Sequence, residues 1–216
     1  DPTLRILREK AQGTGVWCLI GSLALKTGDP DGRFANRSFL IDPHGNIAGR
    51  YDKIHMFDVT VSEVESYCES AGYRPGKRAV LAETDMATIG LTICYDVRFP
   101  GLYRMLAQQG AQVITVPSAF SPVTGAAHWE TLLRARAIET GAFILAPAQT
   151  GTHGARTDKP RKTYGHSIGV RPWGQVLADA GKDEGVICVD INLAEVDNAR
   201  NRIPSLRRLN RFEGPT

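Results

Sequence analysis

The chemistry in this chain is concentrated in a cysteine at 94, a lysine at 53 and an acidic stretch at 65–70. Gly90-Leu91-Thr92-Ile93-Cys94-Tyr95-Asp96-Val97-Arg98-Phe99-Pro100 reads as a buried strand that ends abruptly on a thiol. Ile89, Leu91 and Ile93 alternate with Gly90, Thr92 and Cys94. Pro100 and Gly101 then open a helical run, Leu102-Tyr103-Arg104-Met105-Leu106-Ala107. A thiol at a strand-to-helix corner is close to helix N-terminal N–H groups, which favour the thiolate and face any oxyanion formed there. The alternative for Cys94 is a packed core cysteine, since free cysteines are among the most buried residues. Lys53 follows directly on a strand and places a fixed positive charge where an oxyanion develops; its alternative is a solvated surface lysine. Glu65-Ser66-Tyr67-Cys68-Glu69-Ser70 reads as a polar loop, with plain solvation as its alternative. A cysteine nucleophile also needs a proton acceptor within hydrogen-bond reach, and the sequence does not show which residue that is.

The elements that must position these groups follow from the patterning. Asp1-Pro2-Thr3 opens a helix that ends near Gly13, with Asp1 as cap and Leu4, Ile6 and Leu7 as its apolar face. Val16 to Gly21 is an apolar run suited to a strand covered on both faces. Ser38 to Ile41 and Ile47 to Tyr51 flank Asp42-Pro43-His44-Gly45-Asn46, which has the turn chemistry of a hairpin. Ala79 to Leu81 and Thr88 to Cys94 form a further strand pair. After the helix over 101–109 come a strand over 112–116, a helix from about His128 to Glu139, and a strand over 143–146. Thr150 to Thr163 reads as the longest loop, and such loops in compact domains are often functional. A hairpin through Pro172-Trp173-Gly174 and a last strand over 186–191 precede a basic, proline-interrupted tail. Hairpins mixed with strand–helix units predict an α/β protein of layered sheets and helices.

With 216 residues, 42% of them hydrophobic, the chain can bury a sizeable core and reads as a single domain over 1–216. A net charge of +3 is too mild to imply a nucleic acid or a membrane surface, and the basic runs at 156–162 and 200–211 read as solvated faces or subunit contacts. Cys18, Cys68, Cys94 and Cys188 show no C-x-x-C spacing, and the five histidines show no metal-ligand pattern. The expectation is a reduced, cytoplasmic protein with no metal, no disulfide framework and no membrane span.

Several ordered motifs together resemble the nitrilase (carbon–nitrogen hydrolase) superfamily. They are Lys53-Ile54-His55-Met56-Phe57-Asp58-Val59, Glu69-Ser70, Cys94 to Pro100, His128-Trp129-Glu130-x-Leu132-Leu133-x-Ala135-Arg136-Ala137-Ile138-Glu139, Gly165-His166-Ser167 and Pro172-Trp173-Gly174. Within that superfamily the chain is most similar to the Nit branch of amidases. The resemblance implies an αββα sandwich that pairs through its helical layer into a homodimer or larger assembly. It implies a Glu–Lys–Cys triad with no cofactor. Carried over, Cys94 is the nucleophile, Lys53 and the backbone N–H of Tyr95 stabilise the oxyanion, and Glu69 is a supporting glutamate near Lys53. Arg98, Phe120 and Thr124 would line the substrate pocket; the alternatives are a structural ion pair of Arg98 with Asp96 and core packing for Phe120. The family's general-base glutamate belongs to an N-terminal βαβ portion ahead of the first helix seen here. Glu9, the only glutamate before Lys53, lies mid-helix in a charged run and does not fit that role. The expectation is therefore that the segment carrying the base is absent from this chain. The loops at 117–125 and 148–153 resemble the deaminated-glutathione type of this branch more than the ω-amidase type, which implies a small-molecule substrate, deaminated glutathione cleaved at its side-chain amide. The alternatives are an ω-amidase acting on α-ketoglutaramate and a non-catalytic subunit that lacks the base. A Cys–His protease is disfavoured, since neither His128 nor His166 has that context.

Overall fold

The computed structural model describes residues 1–63, 65–154, 160–208 and 213–215. Helix α1 (Pro2–Thr14) starts as its sequence predicts: the Asp1 side chain accepts from the Leu4 N–H at 3.0 Å. It ends on Gly15 at φ 67, a left-handed cap that only glycine adopts without strain. Strands β1 (Cys18–Lys26), β2 (Phe34–Ile41) and β3 (Ile47–Asp52) form an antiparallel meander. Asp42 sets the β2–β3 turn by accepting the N–H groups of His44 and Asn46 at 2.9 and 2.7 Å. β1 is not covered on both faces. It lies at the sheet edge, and of its nine residues only Ile20 is fully buried.

A small hairpin of β4 (Asp58–Ser62) and β5 (Glu65–Cys68) follows, so the 65–70 stretch is strand and 3₁₀ turn rather than loop. β6 (Tyr73–Arg74) joins β2 in parallel. The second sheet runs β14-β13-β10-β9-β8-β7, from β7 (Val80–Glu83), β8 (Thr88–Leu91), β9 (Val113–Thr115), β10 (Phe143–Ala146), β13 (Ile168–Val170) and β14 (Val176–Asp179). Its centre is parallel: Ile89 and Phe143 both stand opposite Val113.

The alternation in β8 decides the layers. Ile89, Leu91 and Ile93 face the first sheet and meet Tyr51 and Leu19. A Cβ on Gly90 would instead touch Leu106 and Ile114 on the helical side. α2 (Pro100–Gln108) and α3 (Pro122–Thr140) cover that outer face through Leu102, Leu106, Trp129, Leu133 and Ala137, while α1 covers the other sheet against Ile20, Phe39 and Ile41. The result is the αββα sandwich.

Four further expectations are corrected. α3 begins at Pro122, two turns before His128, because Pro122 supplies a ready-made first helical position. The supposed loop at 150–163 contains β11 (Thr150–His153) paired with β12 (Arg161–Tyr164); residues 155–159 lie outside the described residues. The apolar run at 186–191 forms no strand, since β14 closes the sheet and Val186 is left 90% exposed. The tail begins with a helix, α4 (Ala194–Arg202), whose acidic first turn and basic last turn suit the helix dipole.

Candidate active site

The carboxyl ends of parallel strands are where open α/β sheets gather ligands. β8, β9 and β10 end together here. Beyond them lies a cavity of about 320 Å³, walled by Cys94 after β8, Pro117 to Ser121 after β9, and Gln149 after β10. The first sheet supplies Gly21 and Ser22 from a bulge in β1, Asn36 from β2 and Lys53 from just past β3. Tyr67, Cys68 and Glu69 close the side. Gly21 is required by proximity, because a Cβ there would fall 2.2 Å from the Pro117 ring.

Cys94 opens a 3₁₀ turn (Cys94–Arg98) that separates β8 from α2. Its thiol is thus not at the N-terminus of α2, which starts at Pro100, but at the head of this turn. The residue has φ 50, left-handed backbone in a non-glycine residue, a kind of strain that concentrates at functional sites. Its N–H donates to Pro117 O at 3.0 Å. The neighbouring Tyr95 N–H makes no backbone hydrogen bond among the described residues.

Asp96 locks this turn, and its role was not visible in the sequence. It is fully buried and accepts from Tyr51 Oη at 2.7 Å, Ile93 N at 2.9 Å and His55 N at 3.1 Å, with His55 Nδ1 at 2.7 Å. Burial and the adjacent Asp96 charge push the Tyr51 phenol far above its ordinary range, so it stays a donor. Replacing Asp96 by alanine leaves several buried donors unpaired. The expected loss is about 3–5 kcal/mol, or roughly 10 °C in melting temperature at this size. Thermal unfolding checks it, and a melting point like the parent's rejects the locking role.

Lys53 is 3% exposed and bonds Glu69 Oε2 through its Nζ. The same oxygen accepts the Phe57 N–H at 2.7 Å, and Glu69 Oε1 accepts from Asn36 Nδ2 at 3.1 Å. Glu69 is held in place by the Ser70 N–H, which caps onto Asp58 Oδ1 at 2.9 Å; these backbone hydrogen bonds pull the Asp58 carboxyl below its usual range. Three donors thus converge on the Glu69 carboxylate, one of them Lys53 Nζ. Glu9 is remote from this cavity, on the exposed face of α1 beside Arg5.

Among the other expected residues, Phe120 and Thr124 line the cavity and Arg98 does not. Phe120 also packs on Trp129 at 4.8 Å between ring centroids, so core packing and lining are both its situation. The Thr124 hydroxyl is buried with no partner among the described residues. Arg98 makes no ion pair with Asp96, whose oxygens are taken. Its Nη2 lies 3.2 Å from His128 Nδ1, and its guanidinium stands 5.5 Å from the Phe120 ring centre. The sequence missed Arg161, which does line the cavity. Among the described residues no group of three or more His, Cys, Asp or Glu is placed to hold a metal, and no helix is long and apolar enough to cross a membrane.

A family model described as carbon-nitrogen hydrolase matches residues 1–201. The chain belongs to that family. Deaminated glutathione amidase from Yersinia enterocolitica is 42% identical over 212 residues, covering 98% of this chain and 72% of the relative. The crystal structure of the Caenorhabditis elegans NitFhit protein superposes with a TM-score of 0.82 at 38% identity, over 95% of this chain and 49% of that one. A mutant of the amidase from Nesterenkonia sp. AN1, with acrylamide added to its active-site cysteine, matches with a TM-score of 0.74 at 26% identity, over 94% and 74% of the two chains. This carbon–nitrogen hydrolase is an α/β enzyme of the nitrilase superfamily, an amidase by class.

Proposed function

We propose that this enzyme hydrolyses the side-chain amide of deaminated glutathione through a Cys94 thioester. The observation that carries the chemistry is that Cys94 and Lys53, 41 positions apart in sequence, face one cavity. The Cys94 thiolate attacks the amide carbon, and the carbonyl π-electrons move onto oxygen. That oxyanion is held by Lys53 Nζ and the Tyr95 N–H. The C–N bond then breaks and the proton lost by the thiol passes to the departing nitrogen, which leaves as cysteinylglycine from deaminated glutathione or as ammonia from an unsubstituted amide; water then hydrolyses the thioester to release the carboxylate and regenerate the thiol. Glu69 fixes Lys53, while Phe120, Thr124 and Arg98 shape the binding end, Arg98 from behind the Phe120 ring. The identity to relatives named deaminated glutathione amidase supports the substrate. The alternative substrate is α-ketoglutaramate, favoured by a cavity at the small end of ligand sites.

Release of cysteinylglycine from deaminated glutathione and of ammonia from α-ketoglutaramate, measured side by side, tests both. Faster release from deaminated glutathione is the expected result; faster release from α-ketoglutaramate moves the assignment to ω-amidase, and none from either overturns the reading.

The enzyme works in the cytoplasm as a homodimer or larger assembly paired through its helical layer. Met105, Val123 and Ile138, on the two helices of that layer, are each more than half exposed and would be covered by such pairing. Light scattering of the parent gives at least a dimer, and Ile138→Asp shifts it toward monomer.

A further inference from the structure

The geometry points to Arg161 as the residue that reads a carboxylate on the substrate, at the end remote from the scissile amide. The inference rests on the Cys94 cavity being the amidase site and adds the substrate class: acidic amides over neutral ones.

Two cations line the cavity among its described residues, Lys53 and Arg161. Lys53 is buried, pairs with Glu69 and is assigned to the oxyanion, so its remaining donors serve the scissile end of the substrate. Arg161 is the first residue of β12. Arg161 is itself exposed although it lines the cavity, while Thr163, two positions on along the same face of the strand, is 7% exposed. Arg161 Nη2 donates to Ala119 O at 2.9 Å, and the guanidinium stands 5.8 Å from the Tyr67 ring centre. Ala119 belongs to the wall after β9 and Tyr67 to β5 on the other side. The guanidinium is thus fixed by two walls, yet a single one of its five N–H groups is used in a hydrogen bond among the described residues. None of the described carboxylates forms an ion pair with it. A pre-placed planar donor with unused N–H groups is suited to bidentate carboxylate capture, and its fixed position lowers the ordering cost of binding. Arg98 is outside the wall and engaged by His128, which leaves this task to Arg161.

The test compares the parent protein with Arg161→Gln, Arg161→Lys and Lys162→Gln. Lys162 is the exposed neighbour on β12 and controls for net charge. Arg161→Gln should lower kcat/KM for α-ketoglutaramate on the order of 10- to 100-fold, mainly through KM. Butyramide, which has no carboxylate, should change by no more than about threefold, with Arg161→Lys recovering part of the acid-specific loss. An equal loss on both amides, or no loss, overturns the inference. A second readout needs no turnover: protection of Cys94 from iodoacetamide by glutarate, followed on the Cys94 peptide because Cys68 shares the cavity. The half-protecting glutarate concentration should rise by a similar factor in Arg161→Gln, and an unchanged value overturns the inference. If the parent hydrolyses no amide, releasing neither cysteinylglycine nor ammonia, but glutarate protection still depends on Arg161, the amidase reading fails and the carboxylate site stands. Turnover of amides by the parent with indifference to Arg161 is the reverse result.

Discussion

Replacing Cys94 by alanine removes amide hydrolysis and leaves the fold standing. In the proposed mechanism the thiolate forms the covalent intermediate, so its loss is expected to cost at least about 10⁴-fold in kcat, as nucleophile deletions do in other acyl-transfer enzymes. The fold survives because Cys94 is only half-buried and its backbone contacts persist: the N–H still reaches Pro117 O, and Asp96 still binds Ile93, Tyr51 and His55. A melting temperature within about 3 °C of the parent is expected, corresponding to roughly 1 kcal/mol. Glycine at this position makes a sharper comparison. Alanine keeps the Cβ that strains φ 50, whereas glycine relieves it. Cys94→Gly should therefore melt no lower than Cys94→Ala, the reverse of the usual order. Ammonia release above background from Cys94→Ala sinks the nucleophile assignment, and a glycine variant that melts well below the alanine variant sinks the strain argument.

Lys53→Ala has the second largest effect, and it acts on both catalysis and stability. A preorganised cation at a developing oxyanion is worth about 10²–10³ in kcat. It acts in the transition state, so KM should stay within about threefold. Stability falls as well, because Lys53 is 3% and the Glu69 side chain 15% exposed. Removing one partner strands a buried carboxylate, with an expected loss of about 3–5 kcal/mol. Lys53→Met with Glu69→Gln removes both charges and should recover much of the stability without recovering kcat. That separation distinguishes a catalytic cation from a structural one. A Lys53→Ala enzyme whose loss lies entirely in KM would contradict the oxyanion role.

Features written into short range were legible from the sequence. Asp1 capping α1, Asp42 setting the β2–β3 turn, and the alternation through Ile89, Leu91 and Ile93 each depend on groups within a few residues. The 186–191 run shows where such signals stop. Half-buried and outside any strand, Val189 packs against Gly169 and Ile191 against the cluster of Val113, Phe143 and Val196, while Val186 stays exposed. Periodicity reports which residues seek burial, not whether a strand edge is open to pair with them. The same applies to Arg161. In sequence it belongs to a basic run with every mark of a solvated face; it is exposed, and what only the fold supplies is the neighbour its guanidinium reaches, Ala119 O, and the cavity it lines.

The sequence alone determined the motif set, the order of most elements and the residue types able to do the chemistry, because each is local or a matter of composition. Only the tertiary structure decided which of those residues meet. Cys94 follows β8, Lys53 follows β3, Glu69 follows β5 and Arg161 begins β12, four points on separate sheets that share one cavity. It also decided that Asp96 braces the turn while Arg98, two residues away, turns outward to His128. The reason is physical: burying both inner faces of the two sheets at once fixes how distant segments align, and no stretch of a few residues contains that constraint.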